Sequence, residues 1–255
     1  MKSITHTFDT MEDIRIIPIG DLHIGDKHSS KQIIKDLVDK VQNDPNCYCV
    51  LMGDLIDNAT TYSVGDTYDA ELSPMDQLKV IRDMMMPIRQ KILGIIEGNH
   101  EERTTRQTGI RMMELLSLEL GINDRYSSTS LVIFLKFGHQ NFKGSKRVYT
   151  IYCNHGSGGG RRPGAKINRM DDYSKVIDAD CYFLAHTHFV STFKEVFYRP
   201  RTNIGSIDAV ERVYVNTASA LIYGGYADRM GLTPGSNSFP SVVFEAQRRH
   251  IEVHI

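Results

Sequence analysis

Five short apolar runs in this chain end in the same few residue types, and that repetition restricts the folds open to it. Residues 14–20 run into Asp21-Leu22-His23, residues 47–52 into Gly53-Asp54, and residues 91–97 into Gly98-Asn99-His100. Residues 147–153 lead to Asn154-His155, and residues 181–185 to His186-Thr187-His188. A short, β-branched apolar run closed by turn residues reads as a buried strand. Pro18 removes one ladder donor from the first run and is placed near its end. Helical periodicity separates the first three runs. Over residues 29–42 it sets Ile33, Ile34, Leu37, Val38 and Val41 on one face behind a serine cap. Over residues 73–90 it does the same for Leu78, Ile81, Met85 and Ile88, with Pro87 set to kink or end the helix early. Further helices are expected over residues 108–120, stopping at Gly121, and over 167–176. Strand texture dominates the second half, at 130–137, 189–197, 212–216 and 241–255, the last split at Gln247-Arg248.

Strand–helix alternation followed by mostly strand predicts an α/β fold. Two mixed β-sheets pack face to face with helices on their outer faces, as one domain over residues 1–255. The apolar content of 41% and charged content of 24% suit a globular chain. Thirty basic residues against 31 acidic ones give a formal charge of −1, which marks out no general nucleic-acid or membrane surface. The N-terminal stretch lacks the apolar region of a signal peptide, and no apolar run approaches the ~20 residues of a membrane span. Cys47, Cys49, Cys153 and Cys181 lie in or beside strand-like runs without Cys-x2-Cys spacing, as free thiols in a reducing cytoplasm would. Residues 152–169, YCNHGSGGGRRPGAKINR, look like a phosphate cradle but fail as one. Ala165 stands where a Walker lysine belongs, and Arg161 breaks the dinucleotide glycine pattern.

Loops at the carboxyl ends of strands converge on one crevice in open α/β arrangements. Convergence here would gather two aspartates, an asparagine and up to five histidines. Imidazole and carboxylate are ligands of zinc, iron and manganese. Taken singly, each piece has a plain structural reading, such as a turn carboxylate beside a satisfied histidine, or a helix cap at Asn99. The order of the pieces, each after an apolar run, favours one site over five coincidences.

That ordered series, Asp-x-His, Gly-Asp-x-x-Asp, Gly-Asn-His-Glu, His-Gly and His-x-His, resembles the calcineurin-like metallophosphoesterase superfamily over residues 16–190. The resemblance implies a binuclear centre in a four-layer sandwich. Asp21, His23 and His188 would hold one divalent ion, Asn99, His155 and His186 the other, and Asp54 would bridge them. His100 would stay off the metals and face the leaving oxygen, with Asp57 as the supporting acid behind it. Ala185 replaces the family's usual glycine, which touches local packing and leaves the ligands intact. Asn58 stands where the protein-phosphatase branch carries arginine, and the Asp21–Asp26 stretch looks nearer the exonuclease and nucleotide-phosphodiesterase branches.

Two divalent cations, two aspartates and a bridging hydroxide sum to about +1, an attractive seat for phosphate, and ions roughly 3.5–4 Å apart suit in-line hydrolysis. Manganese is favoured, with iron, zinc or nickel compatible with the ligand set. The expected activity is that of a phosphodiesterase or nuclease on nucleotide or nucleic-acid substrates. A phosphomonoesterase on a small substrate is the alternative, and a non-catalytic metal-binding scaffold the third reading. The short spacing between His155 and His186 leaves no room for a lipid-binding lid. Tyr62 and Tyr68 in the loop 58–74, and Arg161, Arg162, Lys166 and Arg169 in 157–169, are the candidate substrate walls. Residues 224–237 compose another long loop, either a third wall or an oligomer contact.

Overall fold

Burial on both faces makes the apolar runs into the centre of one sheet. β2 (Ile14–Ile19), β3 (Cys47–Leu51) and β4 (Ile92–Ile96) lie parallel and adjacent, with the two-residue β5 (Tyr126–Ser127) beyond β4. On the other side β2 pairs antiparallel with β11 (Ser241–Phe244), which pairs in turn with β12 (Ile251–His254). β11 meets only residues 14–16 of β2, so Pro18 sits past the end of that pairing. The computed structural model of the chain describes residues 1–60, 70–138, 147–158 and 160–255.

The second sheet runs β1-β6-β7-β8-β10-β9. Its strands are β1 (Lys2–Phe8), β6 (Ser130–Phe137), β7 (Arg147–Asn154), β8 (Cys181–Leu184), β9 (Ser191–Arg201) and β10 (Ser206–Asn216). Alternate residues of the two sheets meet in a common core that includes Ile16, Val50, Leu93, Ile133, Ile151 and Phe183. The opposite face of the first sheet, including Ile17, Ile19 and Cys49, is covered by α1 (Lys31–Asn43), α2 (Pro74–Met85) and α4 (Met112–Glu119). α5 (Pro163–Asp172) covers Tyr152, Tyr182 and Tyr214 of the second sheet through Met170. Helix, sheet, sheet and helix give the expected four layers, an α/β metallophosphoesterase sandwich. All four cysteines are buried and free. Among the described residues no helix is long and apolar enough to cross a membrane.

Several boundaries differ from the sequence reading, each for a local reason. α1 opens at the Ser30 cap, whose hydroxyl accepts from Ile33 N–H. α2 stops at Met85, because Pro87 lacks the N–H that would continue it, and a 3-10 turn covers Met86–Lys91. The helix expected over 108–120 is present but shorter, and a further helix that the sequence reading did not include precedes it. α3 (Asn99–Thr108) ends at Gly109 with φ 76°, and α4 begins at Met112. α5 starts at Pro163, a first-turn proline, rather than at 167, so Lys166 and Arg169 stand on a helix. β1, absent from the sequence reading, is an edge strand paired parallel with β6. β9 and β10 extend well past the 189–197 and 212–216 expected, as an antiparallel hairpin. Within 224–237, read as loop, Gly225–Arg229 forms the short helix α6.

Candidate metal centre

The turns that follow β2, β3, β4, β7 and β8 meet at one end of the sandwich, three from the first sheet and two from the second. Asp21 (φ 51°), His23 (48°), Asp54 (51°), His186 (69°) and His188 (50°) all adopt left-handed backbone there. Asn58 (46°) is the one other non-glycine in that region among the described residues. Such conformations cost of order 1–3 kcal/mol each and persist where the surroundings impose them, most often at functional sites. Backbone crowding adds to the constraint: a Cβ on Gly98 would lie 2.2 Å from Asp54 Oδ1.

The side chains form two neighbouring sets. In the first, Asp21 is fully buried, and its Oδ2 accepts from His186 N–H at 2.8 Å. Its Oδ1 is buried without a hydrogen-bond partner and lies 3.4 Å from His188 Nε2 and 4.0 Å from His23 Nε2. The two Nε2 atoms are 3.1 Å apart. In the second set, Asn99 Oδ1 lies 3.0 Å from His155 Nε2 and 2.7 Å from His186 Nδ1. Asp54 Oδ2 is 3.3 Å from His155 Nε2, while its Oδ1 accepts from His100 N–H at 2.9 Å. Asp54 groups both with His155 and His186 and with His23 and His100, donor atoms within 4.8 Å in each group.

These residues fit divalent cations. The orphaned Asp21 Oδ1 needs a positive partner. His155 Nδ1 donates to Met52 O at 2.8 Å, so Nε2 is the nitrogen that a cation would take in place of its proton, the arrangement of a metal-ligating histidine. Burial, reinforced by the neighbouring rings, lowers the pKa of His23 well below its usual value and also lowers that of His186, keeping both imidazoles neutral. Burial opposes ionisation of Asp54, but the facing His155, His100 and His23 rings overcome it and hold its carboxyl well below the carboxylate range. Burial likewise disfavours a charged His155, yet Asp54 and Asp21 push it up to about 10. The buried carboxylates draw positive charge to this spot.

His100 opens the first turn of α3. Its Nδ1 lies 2.7 Å from Asp57 O and 3.4 Å from Asp57 Oδ1, and its Nε2 accepts from Arg103 Nη2 at 2.9 Å. Burial works against a charged His100, but Asp57 and Asp54 outweigh it and raise its pKa. Asn58, whose amide bonds His100 O and Thr104 Oγ1, is fully buried behind this helix as a packing element. Ala185 is buried in the inter-sheet core, so its methyl is accommodated.

Two residues of this region escape a ligand-motif reading. Arg103 touches both His100 and the Asp57 carbonyl. Glu101 is fully buried and accepts from the N–H groups of Asp54 (2.9 Å), Leu55 (2.8 Å), Ile56 (3.2 Å) and Gly98 (2.9 Å). It ties the turn after β3 to the start of α3; its place at the helix's third position was the available signal. Burial and the Asp54 charge raise its carboxyl, against the N–H donors that favour ionisation. Glu101→Gln keeps the volume but turns an acceptor into a donor facing those N–H groups. Each orphaned buried donor costs about 1–3 kcal/mol, so urea unfolding should lose about 2–4 kcal/mol at an unchanged m-value. A loss under about 0.5 kcal/mol, the range of an ordinary surface change, would mean the carboxylate does not brace these turns.

Of the candidate substrate residues, Arg161 lines a cleft of about 380 Å³ that reaches His186 and His188; Lys166 lines it too. Arg162 is exposed at the start of α5 and is not among the cleft's lining residues. Tyr62 and Tyr68 lie outside the described residues.

A four-layer sandwich with paired histidine and carboxylate sets at its strand ends defines a metallophosphoesterase-type scaffold. The calcineurin-like phosphoesterase family model matches residues 14–190, and the chain belongs to that family. No curated protein sequence matches it. Solved structures resemble it at low identity. A conserved Streptococcus pneumoniae protein, a predicted phosphoesterase, is 13% identical, with 96% of this chain and 90% of that chain covered and a TM-score of 0.40. Wild-type Vps29 from Entamoeba histolytica, complexed with zinc, is 12% identical over 94% and 97%, with a TM-score of 0.40. GAP50, the anchor in the inner membrane complex of Plasmodium, is 10% identical over 95% and 88%, with a TM-score of 0.49.

Proposed function

We propose that the chain is a metal-dependent phosphoester hydrolase, a phosphodiesterase or nuclease of nucleotide-type substrates, with two divalent cations, manganese foremost. The observation that carries this reading is the buried, unpartnered Asp21 Oδ1 facing two ring nitrogens, beside a second donor set built on Asp54. Asp21, His23 and His188 would hold one ion, Asn99, His155 and His186 the other, with Asp54 shared. The cations would supply Lewis-acid polarisation of the phosphoryl group and acidify a water enough to attack at neutral pH.

The chain's own part is to bind, orient and move a proton. His100 Nδ1, held on Asp57 O, fixes the ring so that Nε2 is the exchanging nitrogen, 3.8 Å from Asp54 Oδ2. As the proton donor to the leaving oxygen it must carry hydrogen on Nε2. A protonated Nε2 cannot accept from Arg103, so that guanidinium turns away and becomes available to a phosphate oxygen. The intact acid argues against a non-catalytic scaffold.

Metal-replete protein should contain two ions per chain, and chelation should abolish turnover of bis-p-nitrophenyl phosphate, with manganese restoring it. Elemental analysis giving fewer than one ion per chain, or turnover that survives chelation, overturns the reading. The rate on the diester against p-nitrophenyl phosphate separates a diesterase from a phosphomonoesterase.

A further inference from the structure

Residues 222–237, which the metal chemistry does not use, are built against the site rather than merely near it. A Cβ on Gly225, at φ 54°, would lie 2.5 Å from the His28 imidazole, and one on Gly224 would lie 2.8 Å from the same ring. The backbone here rests flat on His28, which is held in turn by Asp26 Oδ1 at 3.1 Å. Further along, a Cβ on Gly235 would meet His188 O at 2.7 Å. Asn237 Nδ2 donates to Ser219 O (2.7 Å) and Leu221 O (2.9 Å), closing the segment. One end is therefore seated on His28 and the other on the backbone of a candidate ligand. The result is a preformed wall.

The wall facing it comes from Gly158, Gly160, Arg161 and Lys166, and the two enclose the 380 Å³ cleft beside His186 and His188. The walls differ in character. Leu221, Ile222, Tyr223 and Leu232 line one, and Ile222 (55%) and Tyr223 (43%) remain largely exposed at its mouth. Arg161 and Lys166 line the other. Lys166 Nζ donates to the carbonyl of Thr187, between the two histidines, at 3.0 Å, which leaves an ammonium with further donors next to the metal ligands. Arg161 Nη2 reaches across the mouth to Met230 O at 3.3 Å, a long bond to a neutral acceptor. A phosphate would give the guanidinium an anionic partner that it can grip with two parallel N–H···O bonds.

We propose that this cleft binds one nucleoside phosphate, with the base against the Ile222–Tyr223–Leu232 wall and the phosphate between Arg161, Lys166 and the metal centre. This rests on the hydrolase reading for its catalytic meaning but not for its binding. The volume lies at the low end of small-molecule sites, which run roughly 300–1,000 Å³, so it takes a single nucleotide rather than a length of strand. A sugar phosphate lacks a flat apolar face for the hydrophobic wall. A lipid phosphate would need an apolar channel longer than this cleft.

Calorimetric titration of AMP and of inorganic phosphate into the metal-replete full chain, with phosphate release assayed alongside, tests the binding apart from turnover. AMP should bind at least about tenfold more tightly than inorganic phosphate. Ile222→Asp and Leu232→Asp should each remove most of that difference, and Arg161→Ala should weaken AMP binding with a shallower salt dependence. Ile222 is exposed enough that its variant folds; unchanged thermal midpoints check both apolar variants. AMP binding no tighter than phosphate, or unaffected by both aspartate variants, overturns the proposal even if the enzyme hydrolyses bis-p-nitrophenyl phosphate. AMP binding that behaves as expected in a protein without hydrolase activity would leave the cleft standing and remove the hydrolase reading instead.

Discussion

Asp54→Asn is expected to remove one of the two ions and to cost turnover on the order of 10³-fold or more, the scale of losing a central electrostatic stabiliser. Asp54 is 2% exposed, and its two oxygens have separate duties. Oδ1 accepts from His100 N–H, a bond that an asparagine carbonyl oxygen can keep. Oδ2 faces His155 Nε2 at 3.3 Å, where the substituted amide would present hydrogens instead of a lone pair. The change thus preserves shape and deletes one negative charge from a place where both proposed cation sites draw on it. Folding loses the Asp54–His155 pairing but not the backbone geometry of the turn. Asp54 also sits in strained backbone at φ 51°, a conformation asparagine tolerates comparatively well. Against burial, the facing histidines hold the Asp54 carboxyl well below the carboxylate range, so at neutral pH its charge stabilises the metal-free fold and its loss should lower the thermal midpoint. Loss of activity and of one ion at temperatures where the variant is still fully folded separates a ligand from a packing residue. Full metal content with activity within about tenfold of the parent would remove Asp54 from the centre, since tenfold is only about 1.4 kcal/mol of barrier.

The parts of this site that were legible in the sequence share one physical origin. Strands buried on both faces must be continuous apolar runs, and the turns that end them stand out as abrupt polar residues. That is why β2, β3, β4, β7 and β8 could be found with the ligand-bearing turns attached to them. Elements without such contrast were silent. α3 reads NHEERTTRQT and buries only Glu101, so it shows no apolar stripe, and its helix is set by Gly98, Glu101 and Gly109 at its ends. β1 alternates between half-buried and exposed positions as an edge strand, and KSITHTF lacks a run of large apolar residues. The outer half of the β9–β10 hairpin leaves Val196, Tyr198 and Ile207 exposed, so burial gave no pattern there. Glu101 was the most instructive omission. Three of its four partners are backbone N–H groups from 45 to 47 residues away, which side-chain spacing cannot reveal. Residues 224–237 could be read as a wall or as an oligomer contact, and what the sequence hid was the choice, since Gly224 and Gly225 are explained by His28 on another loop.

His100→Ala should leave both ions in place and lower kcat by about 10²–10⁴-fold, the usual contribution of a positioned general acid. His100 points its Nδ1 at Asp57 O and its Nε2 toward Arg103, and neither Asn99 Oδ1 nor Asp21 Oδ1 depends on its side chain. The ring also packs edge-on against His23, centroids 4.5 Å apart, so its removal opens space beside one ligand. Metal content measured in the variant is therefore the first control. If the ring acts on the leaving oxygen, its value depends on how badly that oxygen needs a proton. A nitrophenolate leaves as a stable anion, whereas a sugar alkoxide does not. The kcat loss should accordingly be at least about tenfold larger for a dinucleotide than for bis-p-nitrophenyl phosphate, with KM nearly constant for both. Equal losses on good and poor leaving groups would deny His100 the role of acid. The residue would then be read as a support for His23 and Asp54. In that case Arg103, left without its imidazole partner, becomes the nearest cation to the leaving group, and Arg103→Ala would be expected to show the leaving-group dependence in its place.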